Sequence, residues 1–127
     1  MILADTSVWI DYFRGREPLF SLLAKLLAQS RILGSQAVFG ELLQGARNQG
    51  ERKLLMEHWN YLPKWDETGL LVRAGAESGR RKWGSAGIGL IDSAIITLAR
   101  ETQSQVWTLD KKLLVVLKHS ERYQPVL

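Results

Sequence analysis

Four acidic residues, Asp5, Glu41, Asp92 and Asp110, stand where a packed α/β domain would more naturally carry an apolar or capping residue. Asp5 closes the apolar run Met1-Ile2-Leu3-Ala4, and Asp110 follows Val106-Trp107-Thr108-Leu109, so each ends a strand-like segment that leads into a helical one. In an open parallel sheet, ligands bind at the carboxyl ends of the strands. Asp92 begins the spacing Asp92, Ile95, Ile96, Ala99, and Glu41 shares a helical face with Ala37, Val38 and Gly45. Both are therefore helix-borne on faces that carry core residues. Singly, each acid has a structural explanation. Asp5 and Asp110 suit helix N-caps, Asp92 suits a first turn by the helix dipole, and Glu41 can reach solvent from the edge of its stripe. Together, two strand-end and two helix-borne carboxylates have a common use in holding a hard divalent cation through oxygen.

The elements that must position them follow from periodicity and punctuation. A strand over Ile2 to Ala4 leads into a short helix through Val8, Trp9, Tyr12 and Phe13, closed by Gly15. Pro18 opens a leucine-rich helix, and Arg31-Ile32-Leu33-Gly34 reads as a second short strand. Ser35 caps the helix that carries Glu41, and a further helix over Glu51 to Asn60 is broken by Leu62-Pro63. Asp66 is the expected cap of a long helix reaching Trp83, in which Gly75 and Gly79, with Ala74 and Ser78, allow close helix approach. Gly84-Ser85-Ala86-Gly87-Ile88-Gly89 lacks the dinucleotide-binding glycine order and reads as a mobile loop into the Asp92 helix. That helix runs to about Thr102. Gln105 to Leu109 is then a strand, Lys111 to Lys118 a helix, and Tyr123 to Leu127 an edge strand. Strands alternating with helices predict an α/β fold with a parallel sheet.

At 127 residues and 46% apolar content, the chain is expected to form a single domain over residues 1–127. It contains no cysteine, which excludes disulfides and thiolate metal sites. The N-terminus enters a strand without a basic n-region, and no apolar run approaches membrane-spanning length, so a soluble cytoplasmic protein with no membrane partner is expected. Net charge is +4, from 17 Lys and Arg against 13 Asp and Glu. Gathering four of those acids in one place leaves the rest of the surface more basic, a balance suited to a polyanionic substrate.

The segment Asp5-Thr6-Ser7-Val8-Trp9-Ile10-Asp11 after an apolar strand resembles the opening of PIN-domain ribonucleases, in particular the VapC toxins of toxin–antitoxin pairs. Ser35 through Glu41-Leu42-Leu43-Gln44-Gly45, Leu90-Ile91-Asp92-Ser93-Ala94-Ile95-Ile96 and Trp107-Thr108-Leu109-Asp110 resemble, in order, the stretches that carry the family's second, third and fourth acids. Each motif is short, but the ordered set spans the whole chain. One departure is that Asp110 is followed by Lys111-Lys112-Leu113-Leu114, where the family often has an aromatic; the leucines can fill that packing position.

The resemblance implies a three-layer α/β/α sandwich around a mostly parallel sheet of four to five short strands. It also implies a Mg2+- or Mn2+-dependent endoribonuclease that acts as a toxin on tRNA, rRNA or mRNA. Elementary electrostatics points the same way: at ~5 Å and an effective dielectric of about 20, each like-charged pair costs roughly 3 kcal/mol, a penalty that a bound cation reverses. Mg2+ keeps several waters and is held by a few carboxylates together with substrate phosphate. Such an ion activates water and stabilises the charge of the transition state and leaving group. Asp5 and Asp92 are the expected principal ligands, with Glu41 and Asp110 acting through water or a second ion. Ser7 and Thr108 are expected to supply hydroxyls that orient Asp5 and Asp110.

Arg14, Arg16, Arg80, Arg81, Lys82, Lys111 and Lys112 flank these segments as candidate phosphate contacts, with a solvated surface as the plainer reading. Among Trp9, Trp59, Trp65, Trp83 and Trp107, the first and last fall in core patterns, and Trp83, beside the basic run, is the candidate for base stacking. His58 and His119 lack metal-ligand spacing and read as structural or surface residues. The resemblance further implies a homodimer and a VapB-like antitoxin, through which alone DNA would be reached. Two alternatives remain. A phosphohydrolase with Asp5 as nucleophile is disfavoured because Ser7 occupies the position of the usual second aspartate. The other is a catalytically inactive PIN-like binding or autoregulatory module.

Overall fold

Ile2, Leu3 and Ala4 are all buried, as a strand covered on both faces must be, and they form β1 (Ile2–Ala4) in the computed structural model, which describes residues 1–127. β1 pairs in parallel with β2 (Gln105–Trp107), with Ile2 opposite Gln105 and Ala4 opposite Trp107. Between and after them lie α1 (Thr6–Phe13), α2 (Leu19–Ala28), α3 (Gln36–Gln44), α4 (Gln49–Tyr61), α5 (Leu70–Arg81), α6 (Leu90–Thr102) and α7 (Lys111–Val116). Short 3-10 turns occupy Trp83–Ala86 and His119–Glu121.

The sheet has two strands, not the four to five expected. The expected strand at 31–34 is reduced to two isolated parallel bridges, Ile32 with Ile2 and Gly34 with Lys64, and instead of the strand expected at 123–127 there is one bridge, Arg122 with Val106. The 31–34 segment is short because Ser30 takes a positive φ at one end and Ser35 begins capping α3 at the other. At the C-terminus, Tyr123 donates one amide to the Val106 carbonyl at 2.8 Å, and Pro125, without an N–H, cannot continue a ladder.

A cluster of 27 buried hydrophobic residues fills the interior, with Trp9 and Trp107 among the largest buried side chains. Trp9 packs edge-on against Tyr12, Phe39 and His58 and stacks on Phe13, while Trp107 meets Tyr123 edge-on, so both are core residues. His58 is half-buried among these rings and His119 is exposed, in keeping with structural and surface roles. Seven consecutive residues of α6, Ser93 to Ala99, are buried, since the helix lies against both strands and against α3 and α5. The hydroxyls this buries turn back onto the helix, Ser93 to the Gly89 carbonyl and Thr97 to the Ser93 carbonyl.

Both ends of α5 differ from expectation, and β2 and α7 stop two residues earlier, at Trp107 and Val116. α5 starts at Leu70 after Gly69, whose φ of +74° suits glycine, while the Asp66 carboxylate accepts the Thr68 amide and shapes the preceding turn. The helix stops at Arg81 because Lys82 adopts a left-handed conformation. The glycine-rich stretch is not an open loop: Trp83 to Ala86 winds into a 3-10 turn whose Trp83 is buried. Close approach of α5 and α6 is met at Gly75, which faces Leu90, whereas Gly79 faces open space. Bidentate pairing of Arg73 with Glu101 links the same two helices.

Candidate active site

The parallel pairing of β1 with β2 sets the site, because both strands end on the same side. Asp5 donates its amide to the Trp107 carbonyl at 2.9 Å, extending the ladder by one residue. Its side chain also performs the capping role that sequence alone assigns, accepting the Val8 amide on Oδ1 at 3.2 Å. The same oxygen accepts the Ser7 hydroxyl, and Oδ2 accepts the Thr108 hydroxyl from the end of the other strand. Capping and site formation are thus one arrangement. Asp5 is only 4% exposed, and burial raises its pKa against the lowering effect of these hydrogen bonds.

Both hydroxyls also fix the segment after β2. Ser7 Oγ accepts the Leu109 amide at 3.1 Å, and Thr108 Oγ1 accepts the Asp110 amide at 2.9 Å. Thr108 therefore acts on the Asp5 carboxylate and the Asp110 backbone, not on the Asp110 carboxylate as expected. That carboxylate caps α7 through the Lys112 amide at 2.9 Å.

The other two acids come from helices. Asp92 lies half-buried in the first turn of α6, and its pKa is raised first by burial and then by the like charges of Asp110, Glu41 and Asp5, against the Gly89 amide. The other three acids are thus near enough to Asp92 for their charges to act on it. Glu41 is exposed on α3, contrary to the core-facing position expected, and its Oε1 accepts the Thr6 hydroxyl at 2.6 Å. No three acidic or histidine side chains converge closely enough to form a ready ion cage. An all-oxygen set with Asp5 buried and braced and Asp92, Glu41 and Asp110 more open fits a Mg2+-like ion that retains water, since such ions need only one or two direct carboxylates.

The candidate phosphate contacts divide. Arg16 pairs with Asp11 at 3.2 Å, while Arg80 and Arg81 share Glu77 at 2.8 and 2.6 Å. Arg14, Lys82 and Lys111 are exposed. Lys112 lies along Gly87, whose φ is +83° and whose absent Cβ leaves room for the lysine stem, so this cation borders the chain entering α6. Trp83 does not present a stacking face: it is 5% exposed and lies beneath the Arg100 guanidinium, 5.5 Å from the ring centre. Trp65, 54% exposed, is the tryptophan with a free surface.

Thr6 and Glu67 are polar partners of this region that sequence reasoning passed over. Glu67 accepts the Gln36 amide at the start of α3, and burial raises its pKa. With Glu41, Gln36 and Gln44 it borders a groove of about 460 Å³ floored by Leu70, Ile91 and Ala94. Thr6, one residue beyond the Asp5 cap, could have been noticed as a hydroxyl in the first motif, but its partner is 35 residues away.

Residues 2–117 match the PIN domain. Ribonuclease VapC32, from two strains of Mycobacterium tuberculosis, is 31% identical over 115 residues, covering 89% of this chain and 87% of the relative. With the family model matched over nearly the whole chain and a VapC ribonuclease similar across it, the chain belongs to the PIN-domain family, among its VapC-type members.

Proposed function

We propose that this protein is a divalent-metal-dependent endoribonuclease, the toxin of a type II toxin–antitoxin pair. It acts in the cytoplasm as a homodimer and is inhibited by a VapB-like antitoxin that also provides its only link to DNA. The observation that carries this reading is that Thr108 bonds both the Asp5 carboxylate and the Asp110 amide while Thr6, next to Asp5, bonds Glu41, and that Asp92 lies near enough to all three acids for their charges, after burial, to raise its pKa. Family membership and the similarity to a named ribonuclease support it.

Asp5 and Asp92 are the principal ligands for Mg2+ or Mn2+, and Glu41 and Asp110 hold water or a second ion. When bound, the ion supplies charge neutralisation at the phosphate and makes water more acidic. Ser7 and Thr108 hold Asp5 in one orientation, with both of its oxygens occupied by donors. Asp92 and Glu41, less enclosed, accept the proton and water traffic of phosphodiester hydrolysis. Arg14, Lys82, Lys111 and Lys112 offer positive charge to the RNA backbone. The absence of a tight three-acid group favours one second reading, the inactive binding module.

The two readings part under divalent ions. Mg2+ or Mn2+ is expected to raise the melting temperature of the wild type but not of the Asp5→Asn, Asp92→Asn double variant, and equal shifts would exclude the metal site. Induced expression of the wild type, followed by sequencing of RNA ends, should reveal discrete cleavage that Asp92→Ala abolishes. A toxic Asp92→Ala variant would favour the module.

A further inference from the structure

We propose that Thr6 is a positioning residue for Glu41, holding its carboxylate in register with Asp5. The inference rests on the metal-dependent reading above and concerns a residue to which that reading gives no part. Glu41 is the most exposed of the four acids and sits on an open face of α3 beside Gly40, which has no neighbour within 4 Å of a would-be Cβ. A glutamate in such a place has three rotatable bonds and ordinarily samples many rotamers in water. Here one rotamer is selected, because the Thr6 hydroxyl donates to Oε1 at 2.6 Å while Oε2 accepts no hydrogen bond from the protein.

Thr6 is itself held in place. It is the first helical residue after Asp5, whose carboxylate caps α1, and α1 packs on α3. Its β-branched side chain has restricted χ1 freedom, so it is stiffer than serine at the same position. The result is a short mechanical path from Asp5 through the first peptide of α1 to Glu41. Two adjacent residues thereby align acids from two elements: Asp5 directly, and Glu41 through the threonine hydroxyl.

The test is Mn2+ binding by the full chain without RNA, followed by loss of the free-ion electron paramagnetic resonance signal, together with metal-free melting. Thr6→Val is expected to weaken Mn2+ binding by about tenfold, the scale for removing a hydrogen-bond partner of a ligating group. Metal-free melting should hardly change. Thr6→Ser should recover most of the loss, and Thr6→Ala should repeat it if valine disturbs the helix start. In a Glu41→Ala background, Thr6→Val should add no further loss, because the carboxylate through which its effect passes is gone. Wild-type affinity in Thr6→Val and Thr6→Ala, alongside lost binding in Asp92→Asn, would overturn this inference alone. A fully additive loss with Glu41→Ala would also overturn it. Failure of the wild type to bind Mn2+ would remove the proposed function and this inference together.

Discussion

The strand-end half of the site and its helix-borne half are held by different means. Asp5 is buried, with both oxygens engaged by hydroxyls that also fix the backbone at Leu109 and Asp110. Glu41 is exposed and held by one hydroxyl, and Asp92 has no side-chain donor and is placed by the packing of α6. The strand half is preorganised by local hydrogen bonds that the fold cannot lose without stranding a buried charge. The helix half depends on how α3 and α6 are seated, so disturbances at a distance reach it first.

Removing the seating of α6 should have the largest effect. Trp83→Ala, beneath Arg100 and just before α6, is expected to cost about 3–5 kcal/mol in urea unfolding, the scale for a buried tryptophan. A loss below about 1 kcal/mol would mean that the ring is not a core element and reopen its role as a stacking surface. Thr108→Val breaks the strand half and should cost about 2 kcal/mol at neutral pH, because it leaves buried Asp5 without one donor. No change there would mean that the brace is dispensable and the two halves are alike.

The pH response separates the acids from their scaffold. Asp92 and Asp5 both titrate above the ordinary aspartate value of 3.8. Between that value and the raised native pKa, the folded state binds more protons than the unfolded one, so metal-free stability must fall as pH rises through this window. Asp92→Asn should flatten the slope, and added Mg2+ should oppose the loss in the wild type. Identical slopes in wild type and variant would remove Asp92 from the cluster. Surface pairs mark the lower limit: Arg80→Ala, which leaves Glu77 paired with Arg81, should change stability by less than about 0.5 kcal/mol.

How much was legible in advance differs between the same two halves. Ile2 to Ala4, the Asp5 and Ser35 caps and the start of α6 followed from short-range pattern, since apolar runs and cap residues act within a few positions. The expected strand at 31–34 shrank to two isolated bridges, and in place of the one at 123–127 there is a single bridge at Arg122, because ladder length depends on what flanks a segment in space. The local composition around Trp83 suggested an exposed ring beside basic residues, yet the left-handed Lys82 and the 3-10 turn direct it inward under Arg100. Thr108 is a partner of its near neighbour Asp110 through the backbone amide, and its hydroxyl also reaches Asp5, 103 residues away, which no local pattern shows.

The sequence by itself determined the donor chemistry: four carboxylates, no thiol, two hydroxyls beside the strand-end acids, and the order of motifs that marks a PIN-domain chain. Only the tertiary structure decided that parallel pairing of β1 with β2 brings Asp5 and Asp110 to one edge, and that Asp92 on α6 lies within reach of the charges of Asp5, Glu41 and Asp110. It also decided which hydroxyl holds which acid. The physical reason is range: capping and periodicity are written within one turn of chain, whereas burial and the repulsion among like charges depend on neighbours that meet only when the fold closes.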